Sequence, residues 1–152
     1  MTAKTPDNQD DKEALKLQVT TADDITILSA LLQDALIRYD NIHYDKAAGE
    51  LVIIADRYCW ERKGQNAERV LCGVRIGCVR QLQQQQMNGE SADSVFYNLL
   101  NIAYSEASHD EATIIFNFSA GAAMRLRIDK IAMAAGDVAP PRPAAITPDH
   151  DA

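Results

Sequence analysis

The stretch Leu51-Val52-Ile53-Ile54-Ala55 runs without a break into Asp56-Arg57-Tyr58-Cys59-Trp60-Glu61-Arg62. The first part is an apolar strand signal, and the second holds the only Trp, a Cys and four charges. A solvated loop rarely carries that mixture, and a plain core strand rarely carries so many charges. The pattern predicts one long strand, Leu51 to Arg62, that leaves the core while keeping aromatic packing on one side. Such a strand needs a sheet around it.

The rest of the chain supplies one. Leu15 to Val19 alternates at period two and reads as a half-buried strand. Thr21-Ala22-Asp23-Asp24 fits a helix cap, and Ile25, Leu28, Leu31, Leu32 and Ala35 follow at helical spacing, so a helix is expected to about Leu36. Period two then returns. Ile37 to Tyr44 reads as a strand, and Lys46-Ala47-Ala48-Gly49 as a hairpin turn with Gly49 at positive φ. Lys63 to Asn66 is a polar turn. Val70 to Val79 is the next strand, with Cys72 and Cys78 on its apolar face and Gly73 and Gly77 flattening the other, as a close neighbour would require. Gln81 to Gly89 is polar and glutamine-rich, and Gln83 to Gln86 within it reads as a solvated strand end. Leu99 to Tyr104 is a further strand. Thr113 to Phe118, with Ile114, Phe116 and Phe118 inward, forms a hairpin through Ser119-Ala120-Gly121 with Met124 to Ile128. Asp129 is expected to cap a last helix bearing Ile131, Ala132, Ala135 and Val138.

The expected architecture is therefore α+β: a curled antiparallel sheet or small barrel of about seven strands, one helix after the first strand and one capping helix at the end. Residues 1–13 are polar and acidic and read as a disordered lead. Residues 14–138 form one domain, and 139–152, with four of the five prolines, read as a flexible tail.

Composition narrows the function classes. A net charge of −7 in 152 residues disfavours non-specific binding to nucleic acid or anionic lipid, which needs a cationic surface. No apolar run has the length of a membrane span, and the N-terminus lacks the basic and apolar parts of a signal peptide. Three cysteines without a CxxC suit reduced thiols in a cytoplasmic protein. Aromatics are only 6%, so the core must be aliphatic.

Several blocks together resemble the bacterial DUF2948 family. They are Leu15-Lys16-Leu17, Ala22-Asp23-Asp24 with Leu28 to Ala35, and Asp56-Arg57-Tyr58-Cys59-Trp60-Glu61, where the family shows Asn-Arg-Phe-x-Trp-Glu. Asn98-Leu99-Leu100 with Ile102, and Phe118-Ser119-Ala120-Gly121 before Met124-Arg125-Leu126, complete the set. The resemblance spans Leu15 to about Gly136, departing at Asp56 and Tyr58. It implies a cytoplasmic bacterial protein and offers no catalytic residue to carry over. Separately, about seven strands and a capping helix are similar to a pleckstrin-homology-like barrel, an analogy of fold alone.

No residue set with the spacing of a catalytic acid, base and nucleophile stands out, and phosphate-binding glycine patterns, GxSxG and HExxH are absent. Cys59, Cys72 and Cys78 lack the close pairs of a structural zinc site, so neither metal nor cofactor is expected. The ligand-binding candidates are Arg57, Trp60 and Arg62 around the Trp block, and Arg75, Arg125 and Arg127, with Arg80, on polar strand faces. Trp60 could stack a planar or anionic ligand beside Arg57 or Arg62; the plainer alternative has Trp60 plugging a barrel end while Arg57 and Glu61 form cross-strand ion pairs. The arginines could grip phosphate or an acidic peptide, or be balanced by nearby acids. A binding or interaction module follows, for a protein or a small anionic ligand, as monomer or homodimer, with no nucleic acid or membrane partner. A small enzyme using the barrel mouth and a structural homo-oligomer pairing by an edge strand are the alternatives.

Overall fold

A computed structural model describes residues 14–60, 67–87, 95–108 and 111–144. Ten strands are present: β1 (Lys16–Val19), β2 (Leu36–Asp45), β3 (Glu50–Tyr58), β4 (Glu68–Ile76), β5 (Val79–Gln85), β6 (Phe96–Ser108), β7 (Glu111–Phe118), β8 (Ala123–Ile128), β9 (Met133–Asp137) and β10 (Arg142–Pro143). One α-helix, α1 (Ala22–Leu31), follows β1. The strand order is β1-β9-β4-β3-β2-β6-β7-β8-β5, with β10 added to β4, and every pairing is antiparallel.

The order forces a curl. Only Gly77 and Cys78 separate β4 from β5, yet five strands lie between them in the sheet. The sheet must bend round until β5 returns to the end of β4. Cys78 makes the corner at φ 57°, and its carbonyl accepts from Asp129 N at 3.0 Å. Val79 N then donates to Gly49 O at 2.9 Å. Gly49, at φ +67°, closes the β2–β3 turn as expected, and a Cβ there would lie 2.9 Å from Val79 O. Only glycine fits that approach. Among the described residues no pairing joins β5 to β1, so the sheet is curled and open rather than a closed barrel.

The interior is aliphatic. Leu51, Ile53 and Ala55 of β3, Val70, Cys72, Val74 and Ile76 of β4, and Met124, Leu126 and Ile128 of β8 all face it, with Ile114, Phe116 and Phe118 inward on β7 as expected. Helix α1 lies against β1 and β6 and buries Ile25 and Leu28 there. Its start is a full capping box: Thr21 Oγ1 accepts from Asp24 N at 3.1 Å, and Asp24 Oδ2 accepts from Thr21 N at 3.2 Å and Thr20 N at 3.0 Å. Its end comes at Leu31, five residues before Leu36. Asp34 turns to φ 67° and donates its N–H to Leu99 O at 2.8 Å, so the chain already pairs with β6. Ser29 Oγ accepts from Ile102 N at 2.8 Å and ties the helix to β6.

The helix expected after Asp129 is absent. Met133–Asp137 is instead β9, the strand between β1 and β4, with Met133 and Ala135 inward. The alanines favour helix as isolated residues, but their small size suits a strand hemmed in by two neighbours, and tertiary pairing overrides propensity. The glutamine-rich stretch forms β5, which takes the strand count beyond seven. Arg142–Pro143, inside the segment expected as a free tail, pairs with Glu68 and Arg69 of β4. Met1 to Glu13, Lys63 to Asn66 and the chain beyond Ala144 lie outside the described residues.

Candidate functional site

The Trp block is real, but its sides are the reverse of those expected. Parity along β3 carries the inward row Leu51, Ile53 and Ala55 on to Arg57, which is 0% exposed. Arg57 Nε donates to Asp137 Oδ1 and Nη2 to Oδ2, each at 2.9 Å, across the intervening β4. Leu15 N adds a third bond to Asp137 Oδ2 at 2.7 Å. Arg57 is thus a buried tie between β3, β9 and the start of β1. Trp60, expected to be mostly buried, is half-buried. Its indole N–H donates to Gln33 O at 3.0 Å, and its ring meets Tyr58 edge-on at 4.6 Å. Arg62 and Glu61 lie outside the described residues.

The arginines expected to form a stripe are separated. Arg75, on β4, pairs with Glu50 at 2.9 Å. Arg80 meets Asp129 at 2.8 Å, which raises its pKa further. Arg127 meets Glu111 at 3.1 Å. Arg142 and Asp56 form a bidentate pair, and Arg69 donates to the Asp56 carbonyl. Arg125 alone among the described arginines has no carboxylate or carbonyl partner. Arg125 and Arg127 share the outer face of β8, whereas Arg75 lies on the far side of the curl.

A feature not foreseen occupies the outer face of β1, β9, β4 and β3. Two residue rows cross it in register: Val52–Arg75–Ala134–Gln18 and Ile54–Gly73–Gly136–Lys16. The paired glycines make a floor with no side chains, and Ile54 and Val138 lean over it. A Cβ on Gly73 would stand 3.4 Å from Val138 Cγ1 and 3.8 Å from Ile54 Cδ1. The result is a groove of about 620 Å³, with Lys16 and Arg75 at its edges. Beyond it Leu71 and Val138 are 38% and 61% exposed, and Val138 N donates to Leu71 O at 2.8 Å. Gly73 was the available signal, since a glycine in mid-strand marks a close approach. Gly136 and Val138 were hidden by their assignment to a helix.

Cys59 and Cys72 are buried and Cys78 is half-buried, and none of the three is in a disulfide. Among the described residues no cluster of three His, Cys, Asp or Glu could hold a metal, and no helix is long and apolar enough to cross a membrane.

Fold and surface together define a class: an open, curled antiparallel sheet with one helix over its interior and recessed sites on its outer faces. The chain belongs to the DUF2948 family, a family of proteins of unknown function, whose profile matches residues 15–150. No curated protein and no solved structure matches it.

Proposed function

We propose that this is a non-catalytic interaction module of the bacterial cytoplasm that binds a protein partner in the groove over Gly73 and Gly136. The observation that carries this is the apolar lining of an outer sheet face. The outer face of a half-solvated antiparallel sheet is normally polar, and here Val52, Ile54 and Val138 surround a bare glycine floor. Exposed apolar surface edged by polar residues is the usual mark of a contact site. Lys16 and Arg75 at the edges favour a partner segment that carries acidic residues beside its apolar anchor. The curled sheet, like a pleckstrin-homology-like barrel, then serves as a rigid scaffold for its outer faces.

The test is a pair of surface variants, Val138→Asp and Gly73→Leu, with the tagged protein used for recovery from its own cell. Both positions face outward, so the melt of Val138→Asp should match the parent. A partner recovered by the parent and lost from both variants is the expected result. Identical recovery by parent and Val138→Asp would overturn the assignment of the groove.

A further inference from the structure

The second recessed face lies on the other side of the curl and is independent of the groove. We propose that the outer face of β5, β8 and β7 binds a small polar anion, a carboxylate or phosphate that also carries hydrogen-bonding groups, through Arg125 and Gln83. Three observations converge there. Arg125 stands between Gln83 of β5 and Ile115 of β7 in register, at the centre of a recess of about 580 Å³. None of the described residues lining that recess is acidic, and every other described arginine is already engaged. The Gln83 side chain also makes no hydrogen bond among the described residues.

The chemistry of the lining selects the ligand. A guanidinium offers five N–H donors in a planar fork, which matches the two oxygens of a carboxylate or phosphate. Asn117 is turned by donation of its Nδ2 to Asn101 Oδ1 at 2.9 Å, and its own oxygen is left to accept from a ligand N–H or O–H. Gln83 can give and accept. Ile115 and Ala123 form an apolar base for the ligand's carbon skeleton. The chain's net charge of −7 does not forbid an anion here, because charges more than about 10 Å away are screened at ordinary ionic strength. What matters is that no carboxylate is among the described residues of the lining. Arg127, two residues along the same face, is already met by Glu111, which leaves Arg125 as the free cation of that face among the described residues.

Titration of the full chain with succinate and, separately, with inorganic phosphate tests this, read by the NMR signals of the Arg125 Nε–H and the Gln83 side-chain amide. Saturable shifts with at least one probe are expected, and the probe that binds more tightly identifies the anionic group. Arg125→Gln should weaken binding by about tenfold or more, as loss of a charge-assisted pair does. Arg125→Lys, which keeps the charge without the fork, should bind at an intermediate level. Arg80→Gln makes the same change in net charge elsewhere and should leave binding as it was. Absence of saturation with both probes, or an equal loss in Arg80→Gln and Arg125→Gln, would overturn the proposal. The melts of the variants are measured alongside, since these exposed side chains should not alter folding.

Discussion

A guanidinium taken out of water costs several kcal/mol unless a carboxylate meets it, and Asp137 meets Arg57 with two parallel hydrogen bonds. Their side chains are 1% and 5% exposed, so little water can stand in for either partner. Asp137→Leu should therefore destabilise the protein by roughly 3–5 kcal/mol, measured by denaturant unfolding, because it takes the two-bond carboxylate away from a buried guanidinium. The double change Arg57→Met with Asp137→Leu should recover most of that loss. A double variant no better than the single one would locate the defect in the lost bond from Leu15 N instead. The inward direction of Arg57 was legible in the chain, since Leu51, Ile53 and Ala55 set the parity that it continues. What misled was residue type: Trp is buried on average and Arg is not, and here the alternation prevailed over both averages.

Elements differ in how much of their cause is local. Helix α1 is announced by its own residues, from Thr21 and Asp24 at the cap to the Ile25 and Leu28 stripe. Its cap also carries a pH dependence. Hydrogen bonds, first of all from the Thr20 backbone and then from Thr21, hold the Asp24 carboxyl below its ordinary value of 3.8. A depressed carboxylate contributes stability at neutral pH that is lost as pH falls through its folded value. Asp24→Asn should leave less to lose, so the acid limb of its stability curve should be shallower than the parent's; parallel curves would mean that the cap does not titrate with folding. Strand β9 is the opposite case. Met133-Ala134-Ala135-Gly136 says little by itself, and it becomes a strand because β1 and β4 each offer it an edge. The same holds for β10, whose Arg142 finds Asp56 on β3 far away in sequence. The groove inherits this difficulty, since two of its walls come from the segment whose structure is set from a distance.

At the scale of the whole molecule, the early strand β1 and the late strand β9 meet at one end of the sheet. β1 pairs only with β9 among the described strands, and β9 also pairs with β4. A chain ending at Ile128 should therefore keep α1 and the β6–β7–β8 meander better than it keeps β1. Amide exchange in Lys16–Val19 should then be unprotected, whereas in the full chain it should follow that of Met133–Asp137. Protection of β1 in the shortened chain would show that it docks without its neighbour.

The position of β9 also sets an order in time. On a ribosome the first strand emerges more than a hundred residues before the strand it needs, and until then its apolar positions Leu17 and Val19 have no sheet to join. Pairing at such separation is slow compared with closing neighbouring hairpins. The groove, with its glycine floor shared between β4 and β9, therefore needs β9 to be made and paired before it exists. A chain that has not yet reached β9 lacks half of that floor.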